Sequence, residues 1–360
     1  MKIVICGLAI TSSWGNGHAT TYRALARALN ARGHKIVFFE RDLEWYASNR
    51  DMPDPPFCRA HIYERWQDVV PLFRRELAGA DVAIVGSFFP DGVRASDEVL
   101  DSRAGIKAFY DIDTPITVSN LRAGDTEYLR RDQVAGFDLY FSFTGGPMLR
   151  ELETAFGARH AVPLYCSFDP DRYRLRKPQP EYQCDLSYMG TYSPDRQGKL
   201  AELFCKPARR LLEKQFIVAG PQYPPTVEWP ANVRRIIHLE PKFHPPFYCS
   251  SRFTLNLTRK EMVQAGHSPS VRLFEAAGCG ATIISDWWAG LETFFVPLDE
   301  ILLVRSAEDV ISYLTEVGEE EAREIGRRAQ QRVLAEHSAQ RRALQFEEFV
   351  GAKTVLSQFA

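Results

Sequence analysis

Residues 268–295 read SPSVRLFEAAGCGATIISDWWAGLETFF, and the rest of the chain is organised around them. Ser268 followed by Pro269 has the pattern of a helix N-cap with proline in the first turn. The helix runs through Phe274 and Ala277, and Gly278 or Gly280 stops it. A short apolar strand over 281–285 follows, then a loop with two tryptophans that opens a second helix near Gly290. Inside the first helix Glu275 is flanked by Leu273, Phe274, Ala276 and Ala277. An unpaired buried charge is expensive, so this carboxylate needs a partner. One candidate is Arg272, a turn earlier on the same helix. The other is a ligand whose hydroxyls meet the carboxylate in a cleft.

The N-terminal half shows the same alternation. Residues 2–10 form an apolar strand, 11–17 a polar loop, and Tyr22, Leu25, Ala26 and Leu29 recur at helical spacing before Gly33. Further buried strands are expected over 34–40, 81–87, 106–110 and 137–143, which gives a doubly wound parallel sheet. Such sheets bind ligands at the carboxyl ends of their strands. After residues 167–184, rich in proline and charge, a second series begins: strands over 185–190, 215–219, 233–237, 252–257 and 301–304, with a helix over 195–214. Ser306 caps a helix toward Val317, and 319–360 reads as helical.

The 360 residues exceed what one core usually holds, so two domains are expected. A net charge of −2 argues against a nucleic-acid binder. No long uncharged apolar run is present, so no transmembrane segment is expected. The apolar run near the start is too short for a signal peptide and suits a buried strand. Seven scattered cysteines without CxxC spacing fit reduced thiols, hence a cytoplasmic protein.

Several residues carry candidate chemistry. GNGHAT, 15–20, partly matches a dinucleotide fingerprint, with Glu40 placed for a ribose, but Thr20 replaces the third glycine. His18 opens the first helix at the cleft end of the sheet, as a general base or as a histidine satisfied by loop carbonyls. Asp111 and Asp113 follow a strand, and hold a cation, shape the cleft or cap the next segment. Arg196 and Lys199 sit in the first turns of a helix, where phosphates gather, or are two solvated charges. Arg259 and Lys260 lie just past a strand end, where a diphosphate also fits. His267 precedes Glu275 by eight residues.

Taken together, GNGHATTYRAL, DIDTP, FSFTGG, SYMGTYSPDR, LNLTR and the 268–292 stretch resemble the GT-B glycosyltransferases. More narrowly, the chain resembles the spore-maturation (CgeB-type) proteins within glycosyl transferases group 1. The resemblance implies two Rossmann-like α/β domains facing a cleft: 1–168 for the acceptor, a linker 169–184, 185–335 for the donor, and a terminal helix 336–360 returning to the first. It implies transfer of a hexosyl group from a nucleotide-diphosphate sugar, UDP-linked as the commonest case, to an unknown glycan, protein or small-molecule acceptor, with no other cofactor and no metal. Glu275 then matches the glutamate that holds the nucleotide ribose. Gly190, Thr191 and Arg196 match the diphosphate loop, and 286–292, with Gly290 and Leu291, the loop beside the donor sugar. Ser270 and Val271 fall in the same donor site. His267 stands where the broader family's paired-glutamate motif has its first glutamate, leaving His267 or Ser268 as replacement donor contacts. The implied catalytic group is His18 with Asp111 and Asp113.

Overall fold

The computed structural model describes residues 1–14 and 17–358; Gly15 and Asn16 of the GNGH loop lie outside the described residues. Two compact units emerge, one of Met1–Ser167 with Ala339–Ala360, the other of Phe168–Ser338. Residues 169–184 belong to the second unit.

The first unit holds seven parallel strands: β1 (Lys2–Cys6), β2 (Lys35–Arg41), β3 (Arg59–Tyr63), β4 (Val82–Gly86), β5 (Ile106–Asp111), β6 (Leu139–Ser142) and β7 (Ala161–Pro163). Their order is β3-β2-β1-β4-β5-β6-β7. The central strands are continuous apolar runs because helices cover both faces, and β4 is buried along its whole length. The chain reverses its winding between β1 and β4, the topological switch point at which such sheets bind ligands. The last helix, Ala339–Gln358, is part of this unit: Phe346 packs against Phe141 at 5.4 Å, and Glu347 accepts from Arg32 at 2.6 Å and pairs with His34 at 2.7 Å.

The second unit holds six parallel strands: β8 (Cys184–Met189), β9 (Phe216–Ala219), β10 (Val233–Ile236), β11 (Ser251–Asn256), β12 (Thr282–Asp286) and β13 (Leu302–Val304). Their order is β10-β9-β8-β11-β12-β13, so this switch point lies between β8 and β11. Leu186, Phe204, Val218, Phe253 and Ile284 anchor its core.

Both units are Rossmann-like, as expected from the alternation, but several boundaries differ. Helix Val271–Gly278 starts at Ser270, not Ser268, because each serine bonds elsewhere. The Ser268 hydroxyl donates to Met262 Sδ at 3.0 Å, and that of Ser270 bonds Asn256 Oδ1 at 2.9 Å. The helix expected over 195–214 ends at Arg210 and passes through a π-helical turn at Ala201–Cys205. The segment 319–360 is two helices, Glu319–Glu336 and Ala339–Gln358. Between them buried His337 stacks on Phe274 at 4.6 Å, which anchors the break in the second unit's core. Near Gly290 there is only a 3-10 turn, Leu291–Thr293.

Candidate functional site

In the first unit the switch-point loop is held from below. The buried Glu40 carboxylate accepts from the Ile10 and Thr11 backbone N–H groups at 2.6 and 2.9 Å and from the Thr11 hydroxyl at 2.6 Å. These bonds place Glu40 in the service of the loop, not aimed outward as a dinucleotide ribose contact would be. Arg23 grips Asp51 with two bonds of 2.8 Å and donates to the Ile10 carbonyl at 2.7 Å, which fixes the other side.

His18 opens the helix His18–Ala31 on this platform, and its Nε2 lies 2.7 Å from Asp113 Oδ2, a residue 95 positions away. Asp113 occupies the N-cap position of the helix Thr114–Ala123, yet its side chain makes no cap bond. It turns to His18 instead. A carboxylate only accepts, so Nε2 donates here, and in the neutral imidazole Nδ1 is the nitrogen with the free lone pair. That Nδ1 is buried without a partner among the described residues. Phe88 meets the imidazole edge-on, with ring centroids 5.9 Å apart, and packs at a tilt against Tyr128 at 4.7 Å. The Phe88 backbone is left-handed, φ 57°, a strained state for a residue with a side chain. Sequence reasoning passed over Phe88, and no local signal marks it.

Asp111 behaves differently from its neighbour. It is fully buried, and the hydroxyls of Tyr140 and Thr117 and the backbone N–H of Asp113 donate to it. Burial pushes its carboxyl up to about 7, with the charge of Asp113 adding to the rise. Asp111 therefore builds the turn that presents Asp113. No group of three His, Cys, Asp or Glu side chains converges as metal ligands among the described residues.

In the second unit the switch-point residues gather cations. Arg196, in the first turn of the helix Pro194–Leu200, donates to the Thr191 carbonyl at 2.8 Å, while its Nε is buried without a partner. Arg272 donates to Asn256 Oδ1 at 3.0 Å, its guanidinium lies over the Tyr188 ring at 5.4 Å, and its second terminal nitrogen is 3.1 Å from where a Cβ at Gly190 would stand. Among the described residues neither guanidinium has a carboxylate within ion-pair distance. Burial lowers the Arg196 pKa, and repulsion from Arg272 lowers it further. Gly190 belongs to the same cradle: the carbonyl of Gly190 is so close to Gly220 that a Cβ there would sit 2.0 Å from it.

Lys199, by contrast, is neutralised. It pairs with buried Asp286, which also accepts from the Thr258 N–H at 3.0 Å and hydroxyl at 2.9 Å. Arg259 and Lys260 are exposed at the start of the helix Lys260–Ala265, and the Lys260 N–H donates to Asp195 at 3.0 Å.

Glu275 is 6% exposed. Its hydrogen-bond donor is the Tyr173 hydroxyl, and Arg172 and Arg272 act only through their charge. Burial outweighs these contacts and pushes the carboxyl up to about 7. No ion pair joins Glu275 to Arg272, whose guanidinium is turned to Asn256. His267 is strained, φ 45°, and its N–H donates to the Ala289 carbonyl at 2.7 Å. Its ring covers Gly290, φ 90°, where a Cβ would lie 2.3 Å from Nδ1, so only glycine fits below it. Val271 is half-buried at the helix start, Leu291 is fully buried beside Gly290, and Ser268 is buried nearby. Thus Gly190, Thr191, Arg196 and Ser270 come together with Arg272 and Asn256, and His267 joins Gly290. Arg259 and Lys260 stand at the rim.

A family model described as glycosyl transferase-like matches residues 196–348, less than half of the chain. No curated protein sequence matches. Among solved structures, sucrose-phosphate synthase from Thermosynechococcus elongatus is similar, with TM-score 0.68, 13% identity, and 97% and 98% of the two chains covered. The Anabaena protein HepE in complex with UDP and glucose gives TM-score 0.68 at 12% identity over 98% of this chain and 100% of that one. An alpha-glucosyltransferase in complex with UDP-glucose and DNA containing an abasic site gives TM-score 0.72 at 11% identity, covering 98% and 99%. The fold is therefore the GT-B glycosyltransferase fold, known in complexes with UDP and UDP-sugars. No helix among the described residues is long and apolar enough to cross a membrane.

Proposed function

We propose that the protein transfers a hexosyl group from a UDP-sugar to the hydroxyl of an acceptor. The observation that carries this reading is the pair Arg196 and Arg272: two like charges brought together at a switch point, half-buried, with no carboxylate in ion-pair contact among the described residues. Such an arrangement is unfavourable until an anion arrives. A diphosphate supplies that charge, and bidentate guanidinium contacts suit its oxygens.

As the bond from the anomeric carbon to the diphosphate breaks, negative charge grows on the departing oxygen, and the fixed guanidiniums stabilise it. The acceptor oxygen forms the new bond to the anomeric carbon. Its proton passes to His18 Nδ1, and Asp113 holds the imidazole in the tautomer with that nitrogen free. Arg259 and Lys260 add positive potential at the rim. Glu275 takes the ribose hydroxyls in place of the Tyr173 hydroxyl, and His267 and the Gly290 turn bound the sugar. The cations stand in for a divalent metal, so none is required. The narrower CgeB-type kinship rests on the ordered landmarks quoted above.

Incubation with a panel of radiolabelled sugar nucleotides tests the proposal. Slow donor hydrolysis, or transfer to added acceptors, is expected with a UDP-sugar. Tight UDP binding with neither reaction would instead make the chain a sugar-nucleotide-binding protein on a transferase fold.

A further inference from the structure

Two thiols of the second unit come together where two helices end. Cys249 lies near the end of the helix His244–Ser250, and Cys279 is the C-cap of the helix Val271–Gly278. Cys249 is half-buried and Cys279 is buried. The Cys249 thiol donates to the Cys279 carbonyl oxygen at 3.4 Å and to the Arg174 carbonyl at 3.9 Å, and the two cysteine side chains interact. The Arg176 backbone N–H donates to Cys249 Sγ at 3.3 Å. The Cys279 N–H in turn donates to the Glu275 carbonyl at 3.2 Å, so the pair ends the helix that presents Arg272 and Glu275.

We propose that Cys249 and Cys279 form a redox site that closes to an intramolecular disulfide by exchange with a small-molecule disulfide. Accessibility and hydrogen bonding divide the roles. Cys249 is the attacking sulfur: it is the more accessible of the two, and the Arg176 N–H donates to it. Cys279 is the resolving sulfur, held as a thiol by its contact with Cys249 and by burial. In the first step the Cys249 thiolate attacks one sulfur of the small disulfide, forming a mixed disulfide and releasing one thiolate. In the second, Cys279 loses its proton and attacks Cys249 Sγ, releasing the other half as thiolate. The protein loses two hydrogens, and the small disulfide is reduced to two thiols. None of this depends on the proposed sugar transfer.

The other half-buried cysteine, Cys58, has its thiol pushed up to about 12 by burial, and it serves as an internal control. The native full-length protein is incubated with glutathione disulfide, quenched with an alkylating agent and mapped without reduction. The expected product is a Cys249–Cys279 cross-linked peptide, formed before Cys58 reacts and reversed by dithiothreitol. Cys279→Ser, or Cys279→Ala should the serine not fold, stops at a stable glutathione adduct on Cys249. A wild-type protein that keeps the adduct on Cys249 while Cys279 stays open to alkylation overturns the proposal. So does modification of Cys58 ahead of both.

Discussion

Near His18, between β1 and β4, the charges of the first unit are closed on themselves: the imidazole is held by Asp113, and Glu40 and Arg23 are occupied in fixing the loop. At the matching place in the second unit, between β8 and β11, Arg196 and Arg272 have no carboxylate in ion-pair contact among the described residues. Both sheets are parallel and both change winding direction at these points, so the backbone does not account for the contrast. It lies in the side chains. A balanced site with one free lone pair suits moving a proton, and an unbalanced cationic one suits holding a dianion. Topology places the ligand; residual charge decides what kind of ligand it is.

The largest test separates those roles. His18→Ala should lower turnover by about 100- to 10,000-fold while the UDP dissociation constant from calorimetry stays unchanged. An unaffected rate would leave the histidine as a loop fixture. Next, Arg272→Met and Arg196→Met should each weaken UDP binding by about 10- to 100-fold, the usual range for a charge-assisted hydrogen bond. Free enzyme stability should hold or rise, since one of two repelling charges is gone. If the affinity is unchanged, the cations are not a phosphate site.

Glu275→Gln removes the ionisable group and keeps an acceptor for Tyr173. It should weaken UDP binding by about tenfold, measured by calorimetry at pH 8. It should also flatten the pH dependence of stability. A carboxyl raised to about 7 in the folded state binds its proton more tightly there than in the unfolded chain. Its contribution is therefore fully present below about pH 4.5 and is lost as pH rises through 7. Asp111, also raised to about 7, should behave likewise in the first unit, and Asp111→Asn should remove that slope in denaturant titrations from pH 4 to 8. The smallest effect expected is that of EDTA on turnover, namely none. Strict dependence on added manganese would return Asp111 and Asp113 to the role of ligands.

Much of the fold was legible because buried parallel strands are rich in apolar residues, as in β4 and most of β1. The edge strands of the second unit, β10 and β13, were legible too, but β3 at the edge of the first was not: RAHIY is half-exposed and lacks a hydrophobic run. Helix starts were misread where a serine had a better partner than its own backbone, as at Ser268 and Ser270. Among site residues, the placement of His18 and Arg196 at helix starts could be read directly. Arg272 was weighed only as a partner for Glu275, three residues on, because local spacing shows nearby pairs and hides distant ones.

The amino-acid sequence alone determined two alternating series, their parallel sheets and the strand ends at which a ligand meets each, since periodicity and turn residues act over a few positions. Only the tertiary structure decided the partners: Asp113 with His18 across 95 residues, Asp286 with Lys199 across 87, Tyr173 with Glu275. Which charge is cancelled and which is left over depends on groups brought together from far along the chain. That residue of charge is set by proximity in space, which no local pattern encodes.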